Sequence, residues 1–254
     1  MVVNLNLHLL GSNPFLNAYS ESDLFGKFIF IALFTLSIFS WIIIFYKGWI
    51  THLAKKQSQY IYKAFESQRM NPLHLECDRF FQSKQINPFF DLYLVLKKHT
   101  LEILKKNRCF GQRQDAENSD ASHVSYMSPS DIDFVYSHLM STVANQTKAL
   151  EKYLFILSTI VSLAPFLGLL GTVWGILLTF TDLQASTAGG ANQMLGGISL
   201  ALATTVLGLI DTIPALIGYN YLKNHIRDFQ TDMECFSNEL IASVEMYYRK
   251  VDVS

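Results

Sequence analysis

The chain has 254 residues, half of them hydrophobic and only 16% charged, with a formal net charge of −1. Soluble domains carry roughly a quarter charged residues and nucleic-acid-binding domains a basic excess, so this composition argues against both. Cys77, Cys109 and Cys235 lack metal-ligand spacing, and no Walker, Rossmann, zinc or nucleophile-elbow pattern occurs. The chain therefore reads as an integral membrane protein without an enzyme site, a metal or a cofactor.

Residues 1–27 contain no basic run ahead of an apolar core, so no cleaved signal peptide is expected; the segment reads as outer and surface-lying. Residues 28–46 (FIFIALFTLSIFSWIIIFY) form an uncharged run long enough to cross roughly 30 Å of hydrocarbon. Lys27 is the only basic residue before it, whereas Lys47, Lys55, Lys56, Lys63 and Arg69 follow it. The positive-inside rule thus predicts an outer (periplasmic) N-terminus and a cytoplasmic section from residue 47.

Residues 47–150 read as a cytoplasmic helical domain. Its expected core comprises Phe80, Phe81, Phe89, Phe90, Leu92, Leu94 and Leu96, and residues 108–129 form a polar linker. Ser128 or Ser130 is expected to cap the next helix, with Asp131 and Asp133 in its first turn. No strong breaker other than Pro165 and the glycines follows before Phe180, which predicts one helix from about 130 that runs straight into a second span, 153–180. A polar outer loop (181–194), a third span (195–222) and a cytoplasmic tail (223–254) complete an all-α architecture with three transmembrane helices. Lys223 and Arg227, just past the third span, agree with a cytoplasmic C-terminus.

The second and third spans share a signature. Pro165, Gly168, Thr172, Gly175 and Thr179 recur at helical spacing, as do Gly197, Ala201, Thr205, Gly208, Thr212 and Ala215. Small and hydroxyl residues on one face let helices approach closely where no hydrophobic effect drives them together. Gly171 belongs with this packing set, and Pro165 and Pro214 punctuate their spans. Trp174 reads as a packing or interface residue, and the scattered histidines, His99 and His138 among them, read as surface residues without a cluster.

The blocks LAPFLGLLGTVWGI and GGISLALATTVLGLIDTIPALIGYN, with the IPA and YN of the third span, resemble the paired signatures of the MotA/TolQ/ExbB proton-channel family, closest to the TolQ/ExbB branch. The channel region would cover about 130–240. The resemblance implies a proton-driven, stator-like subunit of a bacterial inner membrane, assembled as a homo-oligomer, a pentamer in the family. It implies a small single-span partner of the TolR/ExbD type, envelope partners of the TolA/TonB type, and contact with membrane lipid. Thr172 and Thr205 match the family threonines that face the partner's aspartate. A hydroxyl suits that task because it donates to a carboxylate and accepts from a carboxylic acid. The chain departs from the family at Leu200, where a glutamate is usual, and at Asp211, where a small apolar residue is usual. Asp211 is expected to supply some of the missing polarity in the proton pathway. The rival reading is a non-conducting scaffold that anchors a partner; a secondary transporter would need inverted repeats that three unequal spans do not supply.

Overall fold

The computed structural model describes residues 14–68, 72–73, 87–114, 126–185 and 191–249. Six helices account for nearly all of them: α1 (Pro14–Glu21), α2 (Leu24–Ser67), α3 (Pro88–Gln114), α4 (Pro129–Glu151), α5 (Leu154–Ala185) and α6 (Ala191–Tyr248). Among the described residues there is no strand, only an isolated bridge between Met127 and Arg249. The all-α reading therefore holds, and α2, α5 and α6 are each long and apolar enough to cross a membrane. Phe80, Phe81 and Cys77 lie outside the described residues, as do 1–13 and most of the polar linker.

The chain forms two compact units, one of Met1–Lys47 with Tyr153–Lys223, the other of Gly48–Lys152 with Asn224–Ser254. The first holds the three apolar runs. α2 starts at a built cap, where the Asp23 carboxylate accepts from Gly26 N–H at 2.8 Å. α1 packs on α2 and α6 through Ala18, which is buried with Phe30 of α2 and with Leu200 and Ala203 of α6, while Phe15 and Tyr19 stay exposed. A second cluster joins Ile29 and Leu33 of α2 to Ala164 of α5, with Leu167 and Leu207 against it.

In the second unit, Asn87 caps α3 through Phe90 N–H at 3.3 Å, and Pro88 opens the helix where its missing N–H costs nothing. Phe89, Leu92, Tyr93 and Leu96 are buried on one α3 stripe. The Phe89 ring stacks on Phe236 of α6 at 4.6 Å, and Phe65 meets Phe236 edge-on. Leu94, expected in this core, is exposed. It lies two residues from Leu92 and Leu96, so helical periodicity turns it away from their face. Ser128 caps α4 with a reciprocal box: Asp131 N–H donates to Ser128 Oγ at 3.2 Å, and Ser128 N–H donates to Asp131 Oδ2 at 2.9 Å. The expected capping at Ser128 is thus what folds.

The expected unbroken helix from 130 to 180 is not. α4 ends at Glu151 and α5 begins at Leu154. Tyr153 between them has φ 76°, a left-handed conformation that side chains other than glycine rarely adopt. Neither Gly nor Pro marks the break, so the local sequence carries no signal for it. α5 passes through Pro165 without interruption, and α6 through Pro214. The α5 C-terminus and the α6 N-terminus also run further than expected, to Ala185 and from Ala191.

Candidate functional site

The small-residue stripes of α5 and α6 meet as an antiparallel seam. A methyl group added at Gly175 would lie 2.6 Å from the Gly197 carbonyl oxygen, and one at Gly208 would lie 2.8 Å from the Ala164 carbonyl oxygen. Gly168 lies against the backbone of Thr204 and Thr205, and Ala201 packs on Gly175. These contacts are backbone against backbone, so only the absence of a side chain permits them. The tightest register pairs Gly171 with Thr204, whose hydroxyl would sit 2.2 Å from a Gly171 methyl group. Thr204 is fully buried, and its hydroxyl donates to the Ala201 carbonyl at 3.0 Å. Spacing alone ranked Thr205 above Thr204, because spacing fixes a stripe but not which edge of it meets the neighbour.

Thr172 and Thr205 occupy one flank of this seam and stay half-exposed. The Thr172 hydroxyl donates to the Leu169 carbonyl at 2.6 Å. That of Thr205 donates across the helix pair to the Gly168 carbonyl at 3.1 Å. The opposite flank faces α2: Leu167 and Leu207 pack against Ile29 and Leu33. Trp174 Nε1 donates to Asp23 Oδ2 at 3.0 Å, and its ring lies 4.6 Å from that of Phe25. Trp174 is therefore a packing residue with a specific polar anchor, which joins the α5 wall to the cap of α2. The sequence signal for the pair is weak, since 151 residues separate its members.

Asp211 is not on the threonine flank. It continues the buried line of Leu200, Thr204 and Gly208, and with Ser37 of α2 it helps line a cleft bounded by α1, α2 and α6. Neither of its carboxylate oxygens has a well-formed hydrogen bond, although the Ser37 hydroxyl lies beside them. Leu200, where the sequence resemblance implies a glutamate, is buried in the apolar cluster of Ala18, Phe30 and Ala203. Leucine is the side chain that this surrounding suits, since an unpaired carboxylate there would be costly.

In the second unit, His99 and His138 stack at 4.3 Å between ring centroids, and His99 Nδ1 lies 3.3 Å from Glu102. The expectation of scattered histidines fails for this pair. The α3–α4 pairing brings together residues far apart in sequence. Cys109 and Cys235 are free and exposed, and no metal-holding cluster occurs among the described residues. Partial burial pushes the Asp131 carboxyl up, but hydrogen bonds from Ser128 and Asn107 and the charge of Lys106 outweigh it and hold it below the usual carboxylate range. Burial raises that of Asp91 despite the hydrogen bond from Gln146 at 2.8 Å.

Comparison with known proteins places this geometry. A family model described as the MotA/TolQ/ExbB proton channel family matches residues 113–235. The chain is 42% identical over 102 residues to a biopolymer transport protein ExbB of Aquifex aeolicus, covering 40% of this chain and 69% of that one. It is 27% identical over 226 residues to a Tol-Pal system protein TolQ of Haemophilus influenzae, covering 89% and 91%. A putative biopolymer transport protein, ExbB-like 2, of Helicobacter pylori is 37% identical over 102 residues, covering 40% and 68%. These relatives are channel-family proteins rather than enzymes, and the matched region contains the α5–α6 seam. With three apolar helices and that seam, the chain is a multi-pass membrane protein that belongs to the MotA/TolQ/ExbB proton-channel family.

Proposed function

We propose that this protein is the proton-channel, stator-like subunit of a TolQ–TolR or ExbB–ExbD type complex in a bacterial inner membrane, coupling the proton motive force to envelope work. The observation that carries the reading is the half-exposed flank of the α5–α6 seam, where Thr172 and Thr205 present hydroxyls on the side away from α2. A single-span partner with an intramembrane carboxyl would pack there and find hydroxyl partners in both protonation states. The subunit assembles as a homo-oligomer, a pentamer by family likeness, with its N-terminus periplasmic and its C-terminus cytoplasmic. Envelope partners of the TolA or TonB type receive the motion. Asp211, in its separate cleft, gives the third span a further protonatable group.

Mild-detergent purification from native membranes, with mass spectrometry of the co-purifying proteins, tests the assembly. A small single-span protein with one intramembrane aspartate, in lower copy than this chain, is expected. Cysteines at 172 or 205 should cross-link to that protein, whereas recovery of this chain alone under several gentle conditions would overturn the reading. Asp211→Leu at wild-type protein levels should lower partner-dependent activity; full retention would remove Asp211 from the pathway.

A second reading, a non-conducting scaffold, draws on Leu200, because the usual glutamate position is apolar and closed here. Insensitivity of the cellular phenotype to a protonophore would favour it.

A further inference from the structure

The cleft between α1, α2 and α6 has features that the threonine seam lacks. It has a volume of about 530 Å³, within the range of roughly 300–1,000 Å³ typical of small-molecule sites. Phe15, Tyr19, Phe30 and Phe34 supply aromatic wall, while Ser37 and Asp211 contribute polar groups. Asp211 is only 4% exposed, and both of its oxygens lie buried with the Ser37 hydroxyl beside them and no well-formed hydrogen bond. A carboxyl so placed carries either a proton or a counter-cation, because an unpaired charge in apolar surroundings is unstable.

The chain does not supply that cation within its spans. None of residues 28–46, 154–180 and 196–222 is Lys, Arg or His. A neighbouring copy would therefore bring no Lys, Arg or His from its spans to this depth. The site asks instead for a ligand with one positive charge and an apolar body. Aromatic faces attract cations through their quadrupoles, and the effect grows where water is excluded.

We propose that this cleft is a binding site for amphiphilic organic cations, with Asp211 as counter-ion and the aromatic side chains as walls for the apolar body. The ligand enters from the lipid, and its ammonium group reaches the carboxylate as the Asp211 side chain turns into the cleft. The site is distinct from the flank of Thr172 and Thr205 and stands whether or not that flank receives a partner helix.

The test uses the full chain in lipid nanodiscs, with calorimetric titration of 1-adamantylamine, a cage amine charged at neutral pH, and of its neutral isostere 1-adamantanol. Heats from empty nanodiscs are subtracted. Saturable amine binding to the wild type is expected, about tenfold or more weaker in Asp211→Asn, with adamantanol unable to distinguish the two proteins. Asp211→Glu, which keeps the charge, should retain amine binding, and Ser37→Phe, which fills the cleft, should reduce it; elution profiles verify that each variant is folded. Equal amine affinity in the wild type and Asp211→Asn, or no saturable binding to the wild type, would overturn the proposal. The latter outcome is also what a cleft already closed by another chain would give.

Discussion

Neighbouring threonines on α6 do different work. Thr204 is sealed against Gly171, while Thr205, one position on, bonds the Gly168 carbonyl and remains half-exposed. Thr205→Val removes one hydrogen bond and costs about 1 kcal/mol of stability, yet it should lower proton flux through the complex well beyond that. Thr172→Val, whose hydroxyl serves only its own helix turn among the hydrogen bonds seen, should leave thermal stability unchanged and lower flux alike. Thermal melting alongside proton uptake into vesicles that contain the complex separates the two effects. In the second unit, Ser128→Ala should lose about 1 kcal/mol through the α4 cap, measured as a lower melting temperature. Because the folded Asp131 carboxyl lies below its unfolded value, its contribution is present above the unfolded pKa of about 3.9 and is lost as pH falls through the folded value. Asp91 has the opposite sign: its raised value means a contribution present at low pH and lost as pH rises through the folded value. Asp91→Asn should therefore stabilise this unit at neutral pH, and a melting series between acid and neutral pH checks both signs.

At the level of the helices, glycine has opposite meanings in two places. At Gly175 the neighbouring backbone leaves no room for a methyl group, whereas at Gly48 of α2 nothing lies within 4 Å. Gly175→Ala should force the seam apart at a cost of about 1–3 kcal/mol, and Gly48→Ala should stabilise its helix by up to about 1 kcal/mol. Melting temperatures of the two variants should move in opposite directions; a shift of the same sign would refute the seam geometry. The break between α4 and α5 gives a second contrast. Glycine at 153 relieves the left-handed φ but gives up the Tyr153 ring over Lys47, so Tyr153→Gly should be near neutral. Tyr153→Val, β-branched in that conformation, should destabilise by about 1–3 kcal/mol.

For the molecule as a whole, the expected behaviour is joint rather than solitary. The α5–α6 pair presents a half-exposed hydroxyl flank but no carboxyl of its own on it, since Asp211 lies in the α1–α2–α6 cleft. Reconstituted alone, the chain should therefore pass few protons, and addition of the single-span partner should raise the flux. High flux from the chain alone would move the pathway to the Asp211 cleft. The sequence by itself determined the helical class, the three apolar runs, the family and the pair of small-residue stripes, because lipid demands uncharged runs of fixed length and helix geometry converts spacing into faces. Tertiary structure alone decided which edge of each stripe closes. It also set Asp211 beside Ser37 of α2 in a cleft, stacked His99 on His138, and broke the helix at a tyrosine. Those outcomes depend on contacts between residues distant in the chain, where shape and burial select among faces that local periodicity leaves equivalent.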